Sequence, residues 1–260
     1  MKTLIIPENL DLKQYFRDHD LAIISEEANR SGRNVNEMQV DSPYRPELTD
    51  LYRLHRFVLD KRRLTILEFG TGYSSLVMVN ALAQNARLYS QEVNQLRRNN
   101  PFELHSLDNE QKYIQISENR IPHNLRSHAY FHFSKVSMAT FNERVCTYYD
   151  QLPLISPDFI YIDGPDQFNT VGDIAGWSTR HKDMMPMSAD VLRIEHFLTP
   201  GTIMVLDGRA ANARFLKCNL QRAWLYQYDE LYDQHVFILD EPPLGKYNRR
   251  QLEFYKGSDS

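Results

Sequence analysis

Short apolar runs alternate along this chain with segments in which apolar residues recur at helical spacing. Five runs have the apolar or alternating pattern of buried strands: residues 64–67, 87–92, 130–136, 157–163 and 202–207. Helical spacing occurs in five further segments: residues 47–59, 74–82, 109–120, 188–198 and 210–220. Strands that alternate with helices predict an α/β fold with a doubly wound, mostly parallel sheet.

The two ends of the chain depart from this alternation. Residues 1–60 show helical spacing only, which predicts an N-terminal helical extension that packs on the core. Residues 61–240 form the alternating domain and end in two paired strands, while the pattern at 143–150 fits a helix or an added strand equally well. Residues 241–260 are polar and include a Pro-Pro pair, which favours a C-terminal tail or surface strap.

The first predicted strand ends in two glycines. Its sequence is Glu68-Phe-Gly70-Thr-Gly72, where glycine permits a sharp turn and a close approach of the backbone to a ligand. Ser74 or Ser75 then supplies a hydroxyl that can cap the following helix. A strand, a glycine turn and a helix form the nucleotide-binding corner of a doubly wound sheet. A turn that binds no ligand has the same pattern and stays an alternative.

Charge at this corner separates two classes of cofactor. A dinucleotide places a pyrophosphate at the start of the helix, and its fingerprint has a third glycine or alanine where this chain has Ser75. Glu68 precedes the first glycine, at a place where a carboxylate repels a pyrophosphate and attracts a cation. S-adenosylmethionine carries a sulfonium and an ammonium group and no phosphate, so the residues favour it as the cofactor.

A second acidic residue is predicted beside the ribose of the cofactor. The strand predicted at 87–92 ends in Glu92, about 20 residues after Gly72, and an acidic side chain at that spacing meets the ribose diol in such folds. Both classes of cofactor contain this ribose, so Glu92 does not choose between them. The alternative is an exposed carboxylate at the end of a strand.

The pattern Glu68-x-Gly70-x-Gly72 resembles the first motif of the class I S-adenosylmethionine-dependent methyltransferases, and the resemblance covers about residues 48–240. It implies a Rossmann-like fold, with a mostly parallel seven-stranded sheet whose last strand is antiparallel, and makes residues 61–240 the cofactor-binding domain. It also implies that Ser137 and Met138, after the third strand, contact the adenine. The full set of implied cofactor contacts is Glu68, Gly70, Thr71, Gly72, Ser74, Glu92, Ser137, Met138 and Asp163.

Two further strand ends carry the chemistry that the resemblance implies for a methyl acceptor. Ile162-Asp163-Gly164 looks like the strand-end motif of small-molecule O-methyltransferases related to catechol methyltransferases. Those enzymes hold a divalent cation with that aspartate and with an Asp-Asn pair after the fifth strand. This chain has Asp207 and then Gly208 at the pair, so one oxygen ligand is missing and we expect at most a weak dependence on divalent metal. A metal held by Asp163 and Asp207, or a loop-fixing role for both, remains as an alternative.

The long connection at 165–187 follows the strand that ends in Asp163, and such a length indicates a functional loop. We predict that it acts as a lid over the acceptor, with Asp163 or His181 as the general base. Trp177, Asp207 and Arg209 are the predicted acceptor-binding residues. The cationic and aromatic residues of this region favour an anionic or sugar-like acceptor, whereas each of them alone also fits a solvated loop.

Composition limits the partners and the compartment. The net charge of −4 gives no electrostatic case for nucleic acid or an anionic membrane surface. The two cysteines have no CxxC partner, which argues against a zinc site and suits a reducing cytoplasm. We find no apolar run of membrane-spanning length and too short an apolar stretch at the N-terminus for a signal peptide, so a cytoplasmic location is expected. The oligomeric state stays open, with a homodimer as one option.

The sequence therefore predicts a methyltransferase that acts on a small molecule, with O-methylation favoured. Two alternatives remain. One is a nucleoside-binding scaffold of the same fold without catalysis, since no base or acceptor motif is unambiguous. The other is an NAD-dependent oxidoreductase, which Glu68 and Ser75 disfavour.

Overall fold

The computed structural model describes residues 4–28 and 45–257 of the chain. The helices are α1 (Leu12–Asp18), α2 (Ala22–Ala28), α3 (Leu48–Asp60), α4 (Tyr73–Val93), α5 (Gln111–Arg120), α6 (Asp190–Ile194), α7 (Ala210–Asn219) and α8 (Gly245–Lys256), with short 3₁₀ helices at His123–His128 and Glu195–Phe197. The strands are β1 (Thr65–Phe69), β2 (Glu103–Asp108), β3 (Ala129–Phe133), β4 (Val136–Phe141), β5 (Arg144–Tyr149), β6 (Phe159–Ile162), β7 (Thr170–Val171), β8 (Ile203–Asp207), β9 (Trp224–Asp229) and β10 (Gln234–Leu239).

Seven strands form one sheet in the order β3-β2-β1-β6-β8-β10-β9. The neighbours from β3 to β8 are parallel, and β10 runs antiparallel to both β8 and β9. The last strand of the chain, β10, is thus the antiparallel one, and it lies between β8 and β9 in the sheet. The predicted α/β fold, with a mostly parallel seven-stranded sheet and an antiparallel last strand, is confirmed.

The sheet has a hydrophobic layer on each face, because alternate residues of a strand point to opposite sides. One layer joins α1 to α4 with strand residues such as Ile66, Phe159 and Val205. The other joins α6 and α7 with strand residues such as Leu67 and Ile160. The central strands are apolar on both sides, as expected for parallel strands covered by helices. None of the helices in the described ranges is long and apolar enough to cross a lipid bilayer.

The strand predicted at 87–92 is wrong. Those residues are the last turns of α4, which continues to Val93, and β2 lies at Glu103–Asp108 instead. No glycine or proline occurs between Gly72 and Pro101, so nothing in the sequence stops the helix earlier. The alternation of Leu88 with its polar neighbours lies on the outer surface of α4, where Leu88 is 68% exposed.

Residues after β3 form a second, small, three-stranded sheet. Its order is β5-β4-β7, and β4 and β5 form an antiparallel hairpin. The undecided segment 143–150 is therefore largely a strand. Ser137 and Met138, predicted to follow the third strand, lie within β4.

Helices occur at both ends of the chain, and the C-terminal end is more structured than its pattern suggests. Phe16 and Ile24 of α1 and α2 belong to the same buried cluster as α3 and α4. Within the predicted C-terminal tail, helix α8 buries Phe254 and Tyr255 against Leu64 and neighbouring residues. Parts of both end segments, at 1–3, 29–44 and 258–260, lie outside the described residues, and the division at 60 and 240 stays a prediction.

Candidate cofactor and acceptor site

The glycine corner is a close contact between two backbones. Gly70 has a φ of +89°, and a Cβ built on it would lie 2.7 Å from the backbone nitrogen of Gly164, which follows β6. The N–H of Gly164 donates to the carbonyl oxygen of Phe69 at 2.6 Å. Glycine at these two positions thus lets the ends of β1 and β6 touch, for a reason of internal packing.

Gly72 is different, because the space beside it is open. A Cβ built there meets only Ser74 Oγ, at 3.7 Å. Its φ of −176° is extended backbone that any residue adopts. The open side of the turn is therefore at Gly72, at the N-terminus of α4, where a ligand can approach the backbone.

Glu68 lies behind this turn and does not face the open space. It is 0% exposed, and its two carboxylate oxygens accept hydrogen bonds from the hydroxyls of Ser74 and Ser75, each at 2.5 Å. Burial raises the pKa of Glu68 to about 7, while the serine hydroxyls oppose the shift. Glu68 and Ser74 thus fix the start of α4, and any effect of Glu68 on a cation is through its charge. Helix α4 has Gly72 and neither serine as its N-cap residue, while Ser75 Oγ accepts from the N–H of Gly72 at 3.3 Å and so takes part in capping the helix.

Asp108, at the end of β2, is the carboxylate beside the glycine turn. Its Oδ2 accepts from the N–H of Thr71 at 3.1 Å and its Oδ1 from the N–H of Glu110 at 2.8 Å. Burial raises the pKa of Asp108 to about 7, against the two backbone hydrogen bonds. Each oxygen keeps a second lone pair for another donor, so this residue has the acceptor chemistry that a ribose diol needs.

Glu92, predicted for that role, is in the wrong place. It is exposed in the last turn of α4, roughly 30 Å along the helix axis from Gly72. The error follows from the misplaced second strand. The sequence does contain a signal for Asp108. Residues 103–107 alternate between polar and apolar and are followed by Asp108-Asn109, a strand end similar to Asp163-Gly164 and Asp207-Gly208.

The predicted adenine contacts are tied to the small sheet. Ser137 donates to Asp150 Oδ1 at 2.7 Å, and the sulfur of Met138, which is 8% exposed, accepts from the hydroxyl of Thr179 at 3.7 Å. Both side chains therefore hold neighbouring protein segments, and their contact with adenine stays a prediction.

Carboxylates converge at the ends of β6 and β8. Burial raises the pKa of Asp207 to about 8, and the neighbouring charges of Asp50 and Asp163 add to the shift. The pKa of Asp50, in the first turn of α3, is raised to about 6 by burial and by Glu47. Asp163 is 59% exposed at its side chain, yet protein atoms crowd it and its pKa is raised, with Arg209 opposing the shift. The structure thus brings Asp163 and Asp207 together, as predicted from the strand ends.

A buried row of polar residues supports Asp207. Gln234 lies opposite Asp207 in the sheet register, and its Oε1 accepts from Nε of Arg53 at 2.8 Å. Arg53 also pairs with Asp229, at 2.9 Å between Nη2 and Oδ2. The hydroxyl of Tyr161 lies 3.5 Å from Asp207 Oδ2. Helix α3 is thereby linked to the last two strands of the sheet directly beside the carboxylates.

Arg209 braces the end of β6. Its Nη2 donates to the carbonyl oxygens of Asp163 at 2.5 Å and Pro165 at 3.0 Å, and its side chain is only 15% exposed. One nitrogen of its guanidinium is therefore used by backbone next to the predicted base, whereas Nη1 is buried without a hydrogen-bond partner. A direct contact with an acceptor stays a prediction.

Trp177 and His181 lie in the outer part of the 165–187 segment, with Trp177 59% exposed and the His181 side chain 64% exposed. His181 Nδ1 lies 3.9 Å from a carboxylate oxygen of Asp183 and accepts from the N–H of the same residue. Among the hydrogen bonds and ion pairs of the described residues, none joins His181 to Asp163 or Asp207. The two predicted bases are thus not paired with each other.

Metal ligands are scarce at this edge. Within residues 4–28 and 45–257, no three or more His, Cys, Asp or Glu side chains are grouped so as to hold a metal ion. Asp163 and Asp207 supply two carboxylates, and the backbone N–H of Gly208 donates to the carbonyl oxygen of Asp233 at 3.0 Å.

No family model and no curated protein matches this chain. Several solved structures do. The O-methyltransferase TomG from Streptomyces achromogenes, in complex with SAM, is 13% identical with a TM-score of 0.42, over 92% of this chain and 93% of that one. An O-methyltransferase from Bacillus cereus, in complex with SAH, is 16% identical with a TM-score of 0.40, over 92% and 94%. Cofactor-bound Rv0187 from MTB is 11% identical with a TM-score of 0.46, over 92% and 100%. Likenesses this distant assign no activity to the chain.

Proposed function

We propose that this protein is an S-adenosylmethionine-dependent methyltransferase that methylates a hydroxyl group of a small molecule. The observation that carries the proposal is the open glycine turn at Gly72, with Asp108 on one side and the carboxylates Asp163 and Asp207 on the other. A nucleoside cofactor binds at such an edge of a doubly wound sheet, and the second group of carboxylates lies where an acceptor would sit.

Residues of this chain fit the chemistry of the cofactor. The turn at residues 70–72, which is open at Gly72, forms the proposed cofactor cradle, and Asp108 has free acceptor capacity for the ribose hydroxyls. Asp163 places negative charge at the exit of the cradle, which favours a ligand with a sulfonium and an ammonium group. When bound, S-adenosylmethionine supplies an electrophilic methyl group, so the protein needs to align the acceptor and remove one proton.

The strand-end carboxylates are suited to take that proton. A general base works best when its pKa lies near the working pH, and the pKa of Asp163 is raised above its usual value. Asp163 is the more exposed of the pair and is the proposed base, with Asp207 binding the acceptor hydroxyl beside it. His181 is the second candidate, and it would have to move to meet the acceptor because its present partner is Asp183.

The charges suggest how an acceptor is oriented. The floor of the site is acidic, with Asp50, Asp163 and Asp207, whereas Arg180 and Lys182 are exposed on the outer segment. An anionic group on the acceptor is therefore best placed outward, with a neutral hydroxyl pointing to the floor. This fits a sugar-like metabolite that carries a phosphate or carboxylate. The reducing cytoplasm is the proposed location, in keeping with the free cysteines Cys146 and Cys218.

Calorimetric titration with S-adenosylmethionine and with NAD tests the proposal, followed by a screen of metabolites for methyl incorporation. Binding of S-adenosylmethionine with turnover of any hydroxyl acceptor supports it. Binding of S-adenosylmethionine without turnover across the screen would favour the scaffold, and selective binding of NAD would favour an oxidoreductase.

A further inference from the structure

The side chain of Asn109 joins the end of β2 to the beginning of the 165–187 segment. Its Nδ2 donates to the carbonyl oxygens of Asp166 at 3.1 Å and Asn169 at 2.9 Å, and its Oδ1 accepts from the N–H of Asp166 at 3.1 Å. The residue is only 3% exposed. Both donor hydrogens and the acceptor of this carboxamide are therefore used between two segments that are far apart in the sequence.

The neighbours of Asn109 extend this connection in both directions. Asp108 accepts from the N–H of Thr71 in the glycine turn. On the other side, Asn169 Nδ2 donates to Oε1 of Glu110 at 2.6 Å and to the carbonyl oxygen of Asn109 at 3.2 Å. Three consecutive residues, 108–110, thus contact the proposed cofactor cradle at one end and the proposed acceptor segment at the other.

Other contacts hold the segment to the small sheet, through the pairing of β7 with β4, to Arg209, through the carbonyl oxygen of Pro165, and to itself. Gln167 donates to the carbonyl oxygen of Met184 at 2.6 Å, and the hydroxyl of Thr179 donates to the carbonyl oxygen of Gln167 at 2.8 Å. Arg180 donates to the carbonyl oxygen of Gly172 at 2.9 Å. These bonds preserve the internal shape of the segment. They do not join the segment to the end of β2 beside the glycine turn, whereas the bonds of Asn109 do.

We propose that Asn109 is a positioning residue that holds the acceptor segment against the cofactor cradle, so that occupancy of the cradle tightens the segment. The inference rests on the proposed function, because it takes the ligand of the cradle to be S-adenosylmethionine or its product S-adenosylhomocysteine. A ligand that hydrogen-bonds to Asp108 orders the turn that Asn109 belongs to. Two sites linked in this way influence each other reciprocally.

The test uses the full-length protein, S-adenosylhomocysteine and trypsin. Arg180 and Lys182 are exposed in the segment, so the rate of cleavage after them reports how often the segment opens. We expect saturating S-adenosylhomocysteine to slow this cleavage in the wild-type protein. The variant Asn109→Asp keeps nearly the same side-chain shape, but it replaces the NH₂ group that donates to two carbonyl oxygens with an oxygen that can only accept. Without ligand, we expect trypsin to cleave this variant roughly 5- to 30-fold faster than the wild type. We also expect the slowing by the ligand to disappear, although calorimetry shows binding within a few-fold of the wild type.

Asn142→Asp is the matched control, because it makes the same chemical change at an exposed turn between β4 and β5. It should leave both the cleavage rate and the ligand effect unchanged. If Asn109 has only a structural role, Asn109→Asp will be cleaved faster without ligand, but the ratio of cleavage rates with and without ligand will equal that of the wild type. That result would overturn the proposed coupling. Loss of ligand binding in Asn109→Asp would overturn it as well, since Asn109 would then be part of the cofactor site.

Failure of the proposed function gives a separate result. If the wild-type protein binds no S-adenosylhomocysteine in the calorimeter, the cofactor assignment fails and the coupling fails with it. Faster cleavage of unliganded Asn109→Asp would then show only that Asn109 anchors the segment.

Discussion

Gly70 and Gly164 face each other across the ends of β1 and β6 with no room for a side chain on either residue. The sequence alone suggests a ligand-driven reason for glycine at 70 and 72, yet the structure separates the two positions. Gly70 is required by the neighbouring backbone, and Gly72 alone is open.

We therefore expect Gly70→Ala to destabilise the fold by roughly 2–5 kcal/mol, from the backbone overlap and the positive φ. Gly72→Ala is the matched control and should change stability by less than about 1 kcal/mol, because its Cβ meets only Ser74 Oγ at 3.7 Å. Urea denaturation of the two variants measures the difference. Equal loss of stability in both would show that the close approach at Gly70 is relieved at little cost.

A larger side chain at the open position should act on the ligand. Gly72→Val places a branched group at the mouth of the cradle, so we expect it to abolish binding of S-adenosylmethionine in calorimetry while the denaturation midpoint stays near that of Gly72→Ala. An affinity equal to that of the wild type would sink the assignment of the cradle.

Asp108 and Glu92 form a second pair for comparison. Loss of a charged acceptor at Asp108, by Asp108→Asn, should weaken binding of S-adenosylmethionine by about 1.5–3 kcal/mol. Glu92→Gln makes the equivalent change on the outer end of α4 and should have no effect on binding. The reverse result would restore the original assignment of Glu92 and contradict the placement of β2.

Stability should depend on pH through Asp207. Its pKa is raised from 3.8 to about 8, so the folded protein holds this proton more tightly than the unfolded chain does. The resulting stabilisation is complete below about pH 4 and is lost as the pH rises through 8. We expect the free energy of unfolding to fall between pH 5 and pH 8.5, and the fall to become smaller in Asp207→Asn.

In Asp207→Asn, part of the pH dependence of the free energy of unfolding should remain, because the pKa values of Glu68 and Asp108 are each raised to about 7. Asp240→Asn is the control, because Asp240 is exposed beyond the other end of β10. If Asp207→Asn has the same pH dependence as the wild type, the proton affinity of Asp207 is ordinary in the folded protein.

Turnover, once an acceptor is known, should survive EDTA with at most a modest loss. The reason is Gly208, which stands where an oxygen ligand is expected from the resemblance. Complete loss that Mg²⁺ restores would mean that another side chain completes a site with Asp163 and Asp207. Asn212 is unsuited to that role because its amide exchanges hydrogen bonds with the backbone of Ser188. Asp50 is the better candidate, because its charge raises the pKa of Asp207.

The parts of the fold that could be predicted from the sequence are the strands with strong local boundaries. The segments around β1, β6 and β8 are apolar runs that end in an acidic residue or glycine, and the helices after β1 and β8 begin within a few residues. The resemblance supplied the number of strands and the antiparallel direction of the last one, which local patterns do not contain.

The errors have physical causes. The helix α4 runs past residue 87 because it meets no breaker, and its outer face happens to alternate. The tail prediction for 241–260 gave weight to its polar residues and to Pro242-Pro243, whereas α8 is stabilised by tertiary burial of Phe254 and Tyr255. Asp50 cannot be predicted as a site residue from the sequence, because its position beside Asp207 depends on how α3 packs against the sheet.

The contact of Arg53 with Gln234 and Asp229 has a consequence for biosynthesis. Arg53 lies in α3, and its partners belong to β9 and β10, which leave the ribosome about 170 residues later than Arg53. Through most of translation this guanidinium has neither partner, and β8 lacks the neighbour that lies opposite Asp207. The glycine corner can form from earlier-made segments, but the acceptor side is completed only when the final hairpin arrives. A nascent chain that stalls before residue 234 would therefore carry the cofactor half of the site without the other.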